Sequence, residues 1–154
     1  MFDLLNVLKE ANTVGISGHI RPDGDCVGSC MAMYLYLTKM FPEKRMDIFL
    51  EPIPAAYDCI KELDKIRTDF VTEIESYDAF LVIDCDNTRI GNAASYYDKA
   101  KIKINIDHHI SNQGCGDYNY IVPTASSASE LVFDLIKEEA LDEDIALSLY
   151  LGII

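Results

Sequence analysis

The sequence has no tryptophan, and its 13 lysines and arginines face 26 aspartates and glutamates. No apolar run reaches the roughly 18 residues that a membrane span requires. Asp3, Lys9 and Glu10 interrupt the N-terminal stretch, which also lacks a basic segment followed by a small-residue cleavage site, so neither an anchor nor a secretory signal is expected. The five cysteines, Cys26, Cys30, Cys59, Cys85 and Cys115, are an odd number with no C-x-x-C pair. That usage fits reduced thiols and a cytoplasmic protein rather than a disulfide framework or a structural zinc site. The net charge of -13 repels polyanions. Phosphate chemistry on such a chain needs local positive charge from a source other than lysine and arginine.

What is present is a core-forming composition: 154 residues, 49% of them hydrophobic, enough for one domain. Strand and helix signals alternate. Short β-rich runs are expected at Thr13 to Ser17, Asp47 to Leu50, Ala79 to Ile83, Lys101 to Ile106 and Tyr118 to Val122. Helices are expected at Phe2 to Ala11, Asp25 to Phe41, Ala55 to Ile66, Thr88 to Lys99, Ser127 to Glu139 and Asp142 to Ile153. The alternation predicts an α/β domain, a three-layer αβα arrangement on a mainly parallel sheet of about five strands. The final run, Ile145 to Ile154, is almost wholly apolar, whereas chain ends are usually polar. The expectation is that the natural chain continues beyond it, the alternative being that the run docks into the core.

Chemistry-bearing residues gather where strands end. His19-Ile20-Arg21-Pro22-Asp23-Gly24-Asp25 follows the first strand, Asp84-Cys85-Asp86 the third, and Asp107-His108-His109 the fourth. In an open parallel sheet, ligands bind outside the carboxyl ends of the strands. Carboxylates brought together there repel one another unless divalent cations hold them, and carboxylate with imidazole suits manganese, magnesium, iron or zinc. Two such ions can clamp a phosphoryl group, and they supply the positive field that the net charge denies. Each residue also has a plainer reading. Asp25 could cap the helix it opens, Asp23-Gly24 could be a turn, Asp84 a strand-end cap, and the histidines ordinary surface residues. Three separate strand ends, each offering metal-type ligands, favour the metal reading.

These residues resemble the DHH phosphoesterase superfamily, which includes RecJ-like exonucleases, nano-RNases and family II pyrophosphatases. His19, Asp23 and Asp25 match a His-x-x-x-Asp-x-Asp motif, Asp84 a strand-end aspartate, and Asp107 to His109 the Asp-His-His motif. Gly24 to Ser29, Arg89-Ile90-Gly91 and the serine-rich Thr124 to Glu130 are similar to the nano-RNase and 3′-phosphoadenosine 5′-phosphate phosphatase branch. The resemblance covers Val14 to Ile154.

The resemblance implies two divalent ions, manganese or magnesium foremost. His19, Asp23 and Asp84 would hold one, and Asp25, Asp84 and His108 the other, with Asp84 bridging. Asp107 would orient its neighbours, and His109 would approach the scissile phosphate. It also implies hydrolysis by metal-activated water of short oligonucleotides, cyclic dinucleotides or 3′,5′-bisphosphate nucleotides, without a membrane partner and with a homodimer left open. From the residues themselves, Arg21 and the amides of the helix opened by Ser127 are candidate phosphate contacts. Arg89 could touch phosphate but is better read as pairing with Asp84 or Asp86, and Ser127 with Glu130 forms a capping-box pattern. Tyr96, Tyr97, Tyr118 and Tyr120 could stack a base, with packing as the default.

One part of the family pattern is missing: after Gly152-Ile153-Ile154 no further metal-ligating aspartate follows, nor a substrate-gripping lobe. A weak second metal site and low or absent activity of this stretch alone are therefore expected. The competing readings are an inorganic pyrophosphatase and a non-catalytic nucleotide- or metal-binding module. Pyrophosphate assayed beside a dinucleotide, and nucleotide binding by an Asp84→Ala variant, separate them.

Overall fold

The computed structural model describes residues 1–154. Five strands form one sheet: β1 Thr13–Ser17, β2 Arg45–Phe49, β3 Ala79–Ile83, β4 Ile102–Asp107 and β5 Tyr118–Ile121. Their order is β2-β1-β3-β4-β5, and every pairing is parallel. The helices are α1 Leu4–Val7, α2 Gly24–Met40, α3 Ala94–Lys99, α4 Ala128–Leu135 and α5 Glu143–Ile153.

Strand alternation divides the core in two. From β3, Ala79, Leu81 and Ile83 enter the larger cluster with α2, α4 and α5, while Phe80 and Val82 enter a second cluster with Phe49, Tyr77, Ile90 and Tyr97. Burial on both faces is why the sequence Ala-Phe-Leu-Val-Ile shows no polar alternation. The two layers are unequal, since α3, with 6 residues, is the one α-helix on the second side.

Helix α2 is buried continuously from Cys26 to Leu37, because it runs between the sheet and the α4–α5 pair. Close approach requires glycine at its crossing with α5. A Cβ on Gly28 would lie 2.4 Å from the Ser148 carbonyl oxygen and 2.8 Å from Gly152 Cα. Asp23, Ser127 and Asp142 cap α2, α4 and α5, each side chain accepting a backbone N–H three residues on. On α5, Ile145, Ser148, Leu149 and Gly152 pack inward, whereas Tyr150, Ile153 and the capping residue Ile154 are exposed.

Several expected elements are shorter or displaced. The helix expected from Ala55 to Ile66 is two 3-10 turns, Ala55–Tyr57 and Leu63–Lys65. Ile66 instead bridges Ile48, and the Arg67 amide donates to the Ile48 carbonyl at 2.8 Å, so the open edge of β2 draws this segment out. The helix expected from Thr88 is delayed to Ala94 by a 3-10 turn opened by Gly91 at φ +57°. The first helix closes after Val7, and β2 starts two residues earlier than expected.

This topology positions the site. From β1 the chain moves to β2 on one side, then returns to β3 on the other side of β1. The connections after β1 and β3 therefore diverge, which leaves a crevice at their carboxyl ends.

Candidate metal centre

His19 lies two residues beyond β1, in a loop whose Ile20 amide is tied to the Arg89 carbonyl at 2.8 Å. Its Nδ1 stands 2.8 Å from the Ile20 carbonyl oxygen. A proton on Nδ1 donated there leaves Nε2 facing Asp84 Oδ2 at 3.3 Å and Asp23 Oδ1 at 3.5 Å. From the end of β4, His108 Nε2 lies 3.4 Å from Asp84 Oδ1 and 3.4 Å from Asp25 Oδ2. Asp84 thus turns one oxygen to each histidine.

Asp84 is 2% exposed, and it adopts φ +67°, a left-handed conformation costing on the order of 1 kcal/mol for a residue with a Cβ. Its Oδ1 accepts no hydrogen bond despite being buried. Burial raises the Asp84 carboxyl above the ordinary carboxylate range, with His19 opposing. The same contact with Asp84, followed by Cys26, pushes the His19 imidazole up to about 11. In the protein alone, a proton between these two groups offsets the crowded negative charge.

Divalent cations fit this set. Two ligand atoms on one ion at about 2.1 Å each stand roughly 3 Å apart. The four histidine–aspartate separations above lie slightly beyond that, and an ion gives the orphaned Asp84 oxygen a partner. Two groupings bring ligand atoms within 4.8 Å of one another: Asp84, Asp107, His108 and His109, and His19, Cys26 and Asp84.

The remaining candidates have other partners. Asp23, not Asp25, caps α2. Asp25 instead receives the N-terminus of α4, accepting from the Ala128 amide at 2.8 Å, the Ser129 amide at 2.9 Å and the Ser129 hydroxyl at 2.8 Å. The Ser127 hydroxyl takes the Glu130 amide, so the α4 amides considered for phosphate are engaged within the protein. Glu130 reaches Ser126 rather than Ser127, which makes the capping box half-formed. Asp107 Oδ1 accepts His109 Nδ1–H at 2.7 Å, and this leaves the other nitrogen of a half-exposed ring facing outward.

Arg89 is exposed and forms no ion pair with Asp84 or Asp86; Asp86 accepts from Thr88 instead. Arg89 lines a small cleft with His109, Ser111 and Asn112. Arg21 adopts φ +52°, and its amide donates to Glu51 Oε1 at 2.5 Å. The tyrosines are packing residues: Tyr97 donates to the Cys115 carbonyl, Tyr96 to the Phe70 carbonyl, Tyr120 to Asp134, and Tyr118 lies edge-on to Phe2.

Sequence reasoning missed the support beneath Asp107. Asn112 Nδ2 donates to Asp107 Oδ2 at 2.8 Å and to Asn105 Oδ1 at 2.9 Å. Asn105 in turn donates to the carbonyls of Val82 and Cys85. The available signal was one amide between the buried Ile104 and Ile106 of β4.

The family model described as DHH family, N-terminal domain, matches residues 13–153. The chain is 30% identical, over 138 residues, to the bifunctional oligoribonuclease and PAP phosphatase NrnA of Bacillus subtilis, covering 88% of this chain and 42% of the relative. It is also 30% identical to the probable bifunctional oligoribonuclease and PAP phosphatase NrnA of Streptococcus mutans, covering 98% and 47%. The chain thus spans less than half the length of these relatives. Its fold matches an exopolyphosphatase-related protein from Bacteroides fragilis with a TM-score of 0.86 at 24% identity, over 97% of this chain and 47% of that one. An exonuclease RecJ structure bound to manganese matches with a TM-score of 0.50 at 15% identity, over 97% and 40%.

Proposed function

From the membership of this chain in the DHH family, N-terminal domain, we propose that it is the metal-binding catalytic unit of a phosphoesterase acting on short oligonucleotides or 3′,5′-bisphosphate nucleotides. The observation that carries this reading is Asp84, buried and shared between His19 and His108. The printed activities of the two NrnA relatives, oligoribonuclease and PAP phosphatase, supply the substrate class.

In this reading His19, Asp23 and Asp84 hold one divalent ion, and Asp25, Asp84 and His108 hold the second, manganese or magnesium suiting the donors. Such a pair, when bound, supplies the positive field for the phosphoryl group and activates water. The chain's own residues do the rest. Asp84 keeps the two positions adjacent. The α4 amides hold Asp25 in one rotamer, so its oxygens stay beside His108. Asp107 fixes the His109 ring, which approaches the phosphate to stabilise its charge or to supply a proton to the departing oxygen. Arg89, unpaired beside His109, binds a phosphate oxygen.

The test is manganese-dependent hydrolysis of a ribodinucleotide and of 3′-phosphoadenosine 5′-phosphate, with pyrophosphate alongside. Nucleotide turnover that disappears in Asp84→Asn supports the proposal. Turnover of pyrophosphate alone selects a pyrophosphatase. Nucleotide binding to the native chain that needs no manganese and persists in Asp84→Asn selects a binding module.

A further inference from the structure

The mechanism above leaves one buried side chain at the centre unused. Cys26, on the first turn of α2, is fully buried, and its Sγ lies with a His19 ring nitrogen and an Asp84 carboxylate oxygen inside a 4.8 Å triangle. Its other polar neighbours are weak partners, the His19 carbonyl oxygen at 3.9 Å and the Cys30 thiol. Gly18 makes room for this placement: a Cβ there would lie 2.3 Å from Cys26 Sγ and 3.0 Å from Cys30 Sγ. The triangle shares Asp84, the buried carboxylate whose Oδ2 lies 3.3 Å from His19 Nε2. Thiolate ligands select soft and borderline ions, whereas manganese and magnesium prefer oxygen and imidazole.

We propose that His19, Cys26 and Asp84 form a thiol-containing site for zinc or cadmium that overlaps the first of the two metal positions. This rests on the reading that His19 and Asp84 hold a metal ion. Binding there converts the Cys26 thiol to a thiolate, its proton passing to solvent. Because two of the three ligands are shared, a soft ion in this pocket excludes the ion held by His19, Asp23 and Asp84. Soft metals then act as competitors at the centre.

Cadmium and manganese titrations of the 154-residue chain test this. Cadmium should produce a near-ultraviolet cadmium–thiolate absorption band that is lost in Cys26→Ala and kept in Cys30→Ala and Cys59→Ser. Cadmium affinity should fall at least about 10- to 100-fold in Cys26→Ala, since losing a direct ligand costs no less than losing a group behind one. Manganese binding, read by electron paramagnetic resonance, should survive in that variant and be displaced by cadmium in the native chain. Cys26→Ser, closer in volume, repeats the test should the alanine variant misfold. A native chain that binds manganese but shows no band, or a band that persists without the Cys26 thiol, overturns the thiol site alone. Loss of manganese binding in both Cys26 variants assigns Cys26 a packing role and also overturns it. Absence of manganese binding in the native chain removes the two-ion reading beneath it.

Discussion

Asp25 and Ser129, 104 residues apart in sequence, are joined by two hydrogen bonds: the Asp25 carboxylate accepts both the amide and the hydroxyl of Ser129, at 2.9 and 2.8 Å. The contact ties the start of α2 to the start of α4 and points Asp25 at His108. Ser129→Ala keeps the amide bond and deletes the hydroxyl bond to a charged group, which should cost about 1.5–3 kcal/mol in denaturant unfolding. The same variant should weaken the second manganese position by about tenfold, as changes to residues behind metal ligands do. Unchanged manganese affinity would show that the α4 amides alone position Asp25.

Proton linkage gives a second expectation. The folded-state value of His19, about 11, exceeds the ordinary 6.5, so in metal-free protein its proton stabilises the fold fully below about 6.5, and that contribution is lost as pH rises through about 11. An ion at Nε2 displaces this proton, so manganese should bind more tightly as pH rises through neutrality, approaching tenfold per unit. Calorimetry in buffers of different ionisation enthalpy should record about one proton released per first-site ion. Binding that is independent of pH would contradict ligation by His19.

The helix crossing is tight enough to be tested by one methyl group. Gly28→Ala drives a Cβ toward the Ser148 carbonyl, and overpacking of this kind costs about 1–3 kcal/mol. The thermal midpoint should fall. Because Gly28 is one turn from Asp25, metal affinity should fall with it, which a purely global destabilisation would not produce below the transition.

Asn112→Ala removes the donor that holds Asp107 Oδ2 and leaves the Asn105 oxygen short of one partner. We expect a loss of about 1–3 kcal/mol in stability. We also expect a lower kcat with little change in KM, because the His109 ring loses its fixed orientation. A change confined to stability would assign Asn112 a purely structural role.

The three clusters at the strand ends were legible because each follows a short β-rich run, and parallel topology carries all carboxyl ends to one rim. His19, Asp84 and His108 do meet there. Less legible were contacts set by tertiary packing. Nothing near Asp25 in the chain signals that its partner is the first turn of α4, and Asn112 reads as a loop residue until β4 places Asn105 beside it. The Ala55 to Ile66 segment reads as helix from local pattern, but the unpaired edge of β2 outcompetes that preference. Arg89 was expected beside a carboxylate and stands free at the cleft, because Asp84 is enclosed by the two histidines and Asp86 is occupied by Thr88.

The most direct measurement is anomalous diffraction from crystals of the chain grown with manganese. The account predicts two manganese peaks about 3.5–4 Å apart, one beside His19 and one beside His108, with the Asp84 carboxylate between them. Manganese bound elsewhere, or a single ion that leaves Asp84 without a contact, would contradict it.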